Sequence, residues 1–143
     1  MRSIAFHNAD IDQRLKHVKA LKDWMSRCLF ALEKHQYELT YVFCSDEYLL
    51  NVNKSFLDHD YYTDIITFDL SEQNDALIGE IYISRDRVKD NAKSFGVTIN
   101  DELQRVMIHG VLHLCGWNDH SEREKALMRQ KENELMELFH VEQ

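Results

Sequence analysis

The sequence contains no proline, only four glycines and no long apolar run. Without an uninterrupted apolar stretch of roughly 18 residues, no segment is predicted to span a membrane. The opening residues, MRSIAFHNAD, turn polar too early for the core of a signal peptide, so a cytoplasmic location is expected. Hydrophobic residues at 44% and charged residues at 29% exclude collagen-like, disordered and low-complexity classes. We expect one domain spanning residues 1–143.

Cysteine is also scarce. The three cysteines, Cys28, Cys44 and Cys115, are widely spaced and form no CxxC pair. An odd number without such pairs favours free thiols in a reducing compartment. Cys28 and Cys44 are predicted to be small buried hydrophobic side chains, whereas Cys115 lies inside the motif described below.

Positive charge is in deficit, because 17 basic residues face 25 acidic ones and the net charge is −8. Taken as a total, this charge argues against a general nucleic-acid binder, since phosphate contacts need lysine and arginine. The deficit is local, however. The segment Asp46–Glu80 carries nine acids and one base, Lys54, so the rest of the chain sums to zero.

Hydrophobic periodicity predicts an α+β fold, a single layered domain in which about five helices pack on a four-stranded mixed sheet, in the order β-α-β-α-β-β-α-α-α. The predicted strands are Ser3–Phe6, Tyr37–Cys44, Asp64–Leu70 and Ala76–Ser84, the last two joined as a hairpin across a turn at Glu72–Asp75. The predicted helices run from Asp10 or Asp12 to about Lys34, from Ser45 through Val52, from Ser84 to about Phe95, from Asn100 to Gly116, and from Ser121 onward.

The most informative segment is HGVLHLCGWNDH, residues 109–120. His109 and His113 are one helical turn apart, a spacing that lets two imidazoles reach one metal ion. Gly116 is expected to end the helix and let the chain turn back, so that His120 supplies a third nitrogen. Three protein ligands with one open position are typical of a catalytic zinc site. Asp119 is either a hydrogen-bond partner of His120 or an alternative third ligand.

The segment also invites comparison with zinc proteases of the HExxHxxGxxH type. In those enzymes the residue after the first histidine is a glutamate that acts as general base. Here that residue is Gly110. Peptide or amide hydrolysis is therefore the second choice.

Three stretches together resemble a known family, the bacterial YbeY endoribonucleases, which are rRNA maturation factors. Residues 109–120 match its signature H-G-x-L-H-L-x-G-Y-D-H when Asn118 is read as one extra residue. Gly79–Ser84 is similar to its G-D-I-x-I-S strand. The family's N-x-x-Y-R-x-x-D-x-P-T-D-V-L-S-F block is matched at Asn53, Phe56, Asp60, Thr63, Asp64 and Phe68. Within that block, the family's arginine falls on Leu57 and its proline on Tyr62.

This resemblance implies a zinc-dependent, single-strand-specific endoribonuclease that matures the 3′ end of the small-subunit rRNA and acts in ribosome quality control. It implies one zinc ion per chain held by His109, His113 and His120, with His109 as the catalytic residue. The expected partners are single-stranded rRNA and the small ribosomal subunit or its proteins, with neither DNA nor a membrane.

Because Leu57 carries no charge, other residues are needed to contact RNA phosphates. The basic face of the first helix is one candidate surface. Exposed aromatic residues, Tyr61, Tyr62 or Trp117, are candidates for base stacking, although packing is the commoner role of such side chains. The other candidate phosphate contacts are Arg85, Arg87, Lys89 and Lys93. A non-catalytic ribosome-assembly protein with a structural metal is the remaining alternative.

Overall fold

In the computed structural model, which describes residues 1–72 and 76–140, helices pack on both faces of a mixed sheet. The strands are β1 (Arg2–Asn8), β2 (Tyr37–Cys44), β3 (Ile65–Asp69) and β4 (Leu77–Ser84). The helices are α1 (Val18–Ala31), α2 (Asp46–Leu57), α3 (Arg85–Phe95), α4 (Ile99–Leu114) and α5 (Glu122–His140). This architecture confirms the predicted α+β fold and the predicted order of elements.

The strands lie in the order β1-β2-β4-β3. β1 and β4 both run parallel to β2, while β3 pairs antiparallel with β4 in the register Ile65 to Ile83 through Asp69 to Gly79. The predicted hairpin is therefore confirmed. The turn predicted at Glu72–Asp75 lies largely outside the described residues. Among the described helices, none is long and apolar enough to cross a bilayer.

The main hydrophobic core lies between the sheet and helices α1, α3, α4 and α5. Alternate residues of β2, Leu39, Tyr41 and Phe43, face it and are almost fully buried, because successive side chains of a strand point to opposite faces of the sheet. A smaller cluster on the other face joins α2 to β3 and contains Leu49 and Ile66. The sheet is thus covered on both sides, and α4 lies against β3 and β4.

Two glycines allow α4 to approach the sheet closely. A Cβ atom on Gly110 of α4 would lie 2.9 Å from Ile65 Cδ1 and 3.0 Å from Ile81 Cγ2. A Cβ atom on Gly79 of β4 would lie 2.6 Å from Leu114 Cδ1. Larger side chains at either position would require the neighbouring Ile65, Ile81 or Leu114 side chains to shift.

The first helix starts later than predicted. It begins at Val18, after His17 in the left-handed conformation at φ 59°. Asp10 does not cap it, because the Asp10 carboxylate accepts hydrogen bonds from the backbone N–H and hydroxyl of Ser45. Residues 9–17 instead form a loop whose apolar side chains, Ile11 and Leu15, still pack on the core.

Two other helix boundaries also differ from prediction. α2 continues to Leu57, because Phe56 packs edge-on against Phe68 with ring centroids 6.1 Å apart. Thr98, rather than Asn100, caps α4 by accepting from the Asp101 N–H at 3.0 Å. The Ser45 cap of α2 and the Ser84 cap of α3 are confirmed, as is the αL glycine that ends α3 at Gly96.

Candidate metal centre

The last turns of α4 carry the two histidines of the motif. His109 and His113 project from the same face of the helix, and their Nε2 atoms are 2.9 Å apart. Both side chains are about a quarter exposed, at 23% and 28%. They are therefore held by packing and remain open to a ligand from solvent.

A third candidate ligand, Asp119, lies in the turn after α4. Gly116 adopts φ 94°, and the Trp117 N–H donates to the Leu112 carbonyl at 2.9 Å, so the chain folds back over the helix end. This reversal brings Asp119 Oδ2 to 3.5 Å from the Nε2 atoms of both His109 and His113.

The resulting triangle of ligand atoms fits a metal ion. The candidate ligand atoms of His109, His113 and Asp119 all lie within 4.8 Å of one another. Ligands about 2.0–2.1 Å from a tetrahedral zinc ion are separated by about 3.3 Å, close to the spacing seen here. Two imidazoles and one carboxylate are also a donor set that zinc accepts, with a fourth position left open.

His120, the predicted third ligand, does not join this group in the structure, where Asp119 takes the third position. Its side chain is exposed, and its backbone N–H donates to Glu124 Oε1 at 3.2 Å. Ser121 and Glu124 form the predicted capping box of α5, which fixes the backbone at this point. Asp119 lies ten residues after His109, the family spacing of the third histidine, so an ungapped reading of the signature places Asp119 at that position and Asn118 at the family's aspartate.

A buried carboxylate from α5 orients the first histidine. Glu132 is 4% exposed, and its Oε2 lies 2.6 Å from His109 Nδ1. Its other oxygen accepts from Arg105 at 3.0 Å. A carboxylate on Nδ1 places the proton there and leaves Nε2 free to bind a metal. The roles of Glu132 and Arg105 were not predicted. Glu132 is distant in sequence from both Arg105 and His109, and it meets them only when α5 packs on α4.

The two histidines respond differently to their surroundings. Burial alone would lower the pKa of His109, but its hydrogen bond to Glu132 and the charges of Glu132 and Asp119 outweigh burial, so the pKa is raised. Burial and the neighbouring charge of His109 lower the pKa of His113. The two imidazoles therefore differ in basicity because Glu132 contacts His109 but not His113.

Two cavities meet at the metal centre. One, of about 300 Å³, extends along α4 and α5 and includes Glu102, Lys125 and Arg129. The other, of about 550 Å³, extends toward the end of α2 and includes Leu57 and Tyr61. His109, Asp119 and Asp64 line both cavities. Burial raises the pKa of the Asp64 carboxyl, which faces the same space as the metal ligands.

The predicted RNA-contacting bases do not line these two cavities. Arg87 is bound to Asp46 at 3.0 Å and lies 5.3 Å over the Tyr62 ring. Lys93 is exposed near the end of α3. Arg85 and Lys89 line a separate cavity.

The aromatic candidates for base stacking differ in their exposure. Tyr61 is exposed and lines the larger cavity, whereas Trp117 packs against the core. The cationic side chains beside the metal centre that are not tied to Glu132 are Lys125 and Arg129, which the sequence did not single out. They lie on the polar face of α5, where a solvent-exposed role is the usual expectation.

Comparison with known proteins places the chain in a family. The sequence model described as Endoribonuclease YbeY matches residues 4–140. This chain belongs to the YbeY family. A protein of Flavobacterium johnsoniae named Endoribonuclease YbeY is 45% identical over 136 residues, covering 95% of this chain and 97% of that protein. A Cytophaga hutchinsonii protein of the same name is 47% identical, covering 95% of each chain.

A solved structure shares this YbeY fold. The solution structure of TM1509 from Thermotoga maritima aligns with a TM-score of 0.67 at 27% identity, covering 95% of this chain and 88% of that one. The resemblance noted from residues 50 to 120 therefore extends over nearly the whole chain.

Proposed function

We propose that the chain is a single metal-dependent domain that cleaves single-stranded RNA, with zinc as its metal. The observation that carries this proposal is the triangle of His109, His113 and Asp119 at the junction of two open cavities. Membership of a family described as Endoribonuclease YbeY supports RNA as the substrate.

His109, His113 and Asp119 would hold the zinc ion, with His109 as the ligand in direct contact with Glu132. When bound, zinc would activate water and offset negative charge developing on the scissile phosphate. Glu132 keeps the His109 proton on Nδ1 and fixes the imidazole plane. Asp64, whose pKa is raised by burial, is placed to accept or return a proton in the cavity.

The RNA strand would pass through the two cavities. Leu57, at the family's arginine position, lines the larger cavity and supplies no charge there. Lys125 and Arg129 line the other cavity and would contact phosphates on the opposite side. Tyr61, which is 55% exposed, offers a ring on which an unpaired base can stack.

The family resemblance supports rRNA as the natural RNA, with cleavage at the 3′ end of the small-subunit rRNA and a role in ribosome quality control. The partner would be the small ribosomal subunit or one of its proteins, and the compartment the cytoplasm. Free thiols at Cys28, Cys44 and Cys115 fit such a reducing location.

Peptide hydrolysis is disfavoured by a physical constraint at Gly110. A Cβ atom there would lie 2.9 Å from Ile65, so the helix face that carries the glutamate base in zinc proteases is pressed against the sheet. A carboxylate base at that position would require the side chains of Ile65 and Ile81 to shift.

The test measures metal content and RNA cleavage in the same preparations. Untagged wild-type protein should hold close to one zinc per chain and cut single-stranded rRNA fragments. Alanine variants of His109, His113 and Asp119 should lose both properties. His120→Ala is the matched control, since it removes a neighbouring imidazole outside the ligand triangle. Wild-type protein that binds zinc without cutting RNA would indicate the non-catalytic assembly protein instead.

A further inference from the structure

A second cavity with the character of a ligand site lies away from the metal centre. It has a volume of about 530 Å³ and lies at the carboxyl ends of the parallel strands β2 and β4, where Phe43 and Ile83 line it. The first turn of α4 completes its wall. Crevices at the carboxyl ends of parallel strands are common ligand sites, and a helix N-terminus adds partial positive charge. We call this cavity the strand-end cleft.

The strand-end cleft is strongly basic in an acidic protein. Four cationic side chains line it, and no described acid does: the four are Arg14, Lys16, Arg85 and Lys89. Within residues 1–72 and 76–140, none of the four forms a salt bridge, unlike the nearby Arg87, which is bound to Asp46. The acids in the first turn of α4, Asp101 and Glu102, line other cavities.

Two polar atoms in the cleft are buried without a partner in the described part of the chain. They are the Nε atom of Arg85, a donor, and the Oε1 atom of Gln13, an acceptor. Both atoms lie beneath the surface of the cleft, so the groups most open to a ligand there are the exposed bases Arg14, Lys16 and Lys89. Asp10 feels the charge of Arg85, but its two oxygens are bonded to Ser45.

We propose that the strand-end cleft binds a phosphate group carried by a ribonucleotide. The guanidinium of Arg85 and the flanking bases Arg14, Lys16 and Lys89 suit phosphate oxygens. The phosphate belongs either to an RNA strand, which then gains an anchor apart from the metal centre, or to a free nucleotide. The first source rests on the proposed function; the second does not.

The RNA source is tested with a double variant, Arg14→Gln/Lys89→Gln, whose substituted side chains are exposed. Stopped-flow anisotropy would measure binding of a labelled single-stranded RNA before turnover, over a series of salt concentrations. We expect about tenfold weaker binding at low salt. The slope of log affinity against log salt should fall by about 1.4 for two lost contacts. The control, Lys34→Gln/Lys131→Gln, removes equal charge outside the cleft and should change affinity by less than about twofold.

The nucleotide source is tested by NMR titration of wild-type protein and both double variants with inorganic phosphate and adenosine monophosphate. We expect shifts of the backbone amides of Arg85, Lys89 and Asn100, which are lost in the cleft variant alone. Such shifts with unchanged RNA affinity would assign the cleft to free nucleotides. If the cleft variant and the control variant have the same RNA affinity and the same amide shifts as the wild type, the proposal is wrong. RNA cleavage by wild type and His109→Ala, measured separately, shows whether the proposed nuclease function fails by itself.

Discussion

Replacing Glu132 with glutamine isolates the contribution of the carboxylate behind the metal centre. In the structure, one oxygen of Glu132 faces His109 Nδ1 at 2.6 Å and the other faces Arg105 at 3.0 Å. A glutamine amide offers one oxygen and one NH₂ group, so it can accept from only one of these donors. Glu132→Gln therefore leaves either His109 or Arg105 without its acceptor, while the volume of the side chain is preserved.

The expected loss follows from this contact. Removing an outer carboxylate from a metal-binding histidine typically costs 10–100-fold in metal affinity, or about 1.4–2.7 kcal/mol. Because Glu132 is 4% exposed, water does not readily replace the missing acceptor, and we expect the upper half of this range. The pKa of His109 should also fall, since the hydrogen bond and charge of Glu132 raise it.

The assay is competition for zinc against a chromophoric chelator at neutral pH. Glu134→Gln is the matched control, because Glu134 lies on the same helix and, within the described residues, pairs with Lys131 at the surface. Circular dichroism would establish that both variants keep the wild-type helix content. A zinc affinity for Glu132→Gln within about twofold of Glu134→Gln would refute the proposed role of the carboxylate, whereas a larger loss would support it.

Three further outcomes are expected. Burial raises the pKa of Glu102 above its ordinary value of 4.5, so ionisation of this carboxyl destabilises the fold as pH rises. Glu102→Gln should therefore raise the melting temperature at pH 8. An equal gain in melting temperature below pH 4.5 would contradict this account. Gly110→Ala should destabilise the fold by about 1–3 kcal/mol in urea unfolding, because the new methyl group would lie too close to the side chains of Ile65 and Ile81. Unchanged or higher stability would contradict the proposed close contact between α4 and the sheet. Burial raises the pKa of the thiols of Cys28 and Cys44 to about 12. A thiol reagent at pH 8 should therefore modify Cys115 before the other two cysteines, as followed by mass spectrometry. Modification of Cys28 or Cys44 before Cys115 would contradict the burial of these two side chains.

Much of the fold could be predicted from the sequence, because local signals and burial agree. The alternation in β2 and the serine caps of α2 and α3 each place a boundary correctly. The predicted start of the first helix was wrong, because a residue distant in sequence binds the side chain that was expected to cap it. Asp10 has the chemistry of a helix cap, but its carboxylate binds Ser45 across the end of the sheet.

The candidate metal centre is only partly visible as a local pattern in the sequence, for a similar reason. The spacing of His109 and His113 on one helix is a local property that the sequence displays directly. The choice between Asp119 and His120 depends on how the turn after Gly116 meets the capping box of α5. Glu132 is 23 residues from His109, and no sequence pattern linked the two.

The position of Glu132 on α5 ties the state of the metal centre to the docking of a single helix. α5 is also held by contacts with α1, where the Trp24 indole N–H donates to the Leu135 carbonyl at 2.8 Å. A local opening of α5 would remove the support of His109 while the sheet stayed folded, so amide hydrogen exchange in α5 should slow when metal binds. We therefore expect metal affinity to follow the local stability of α5.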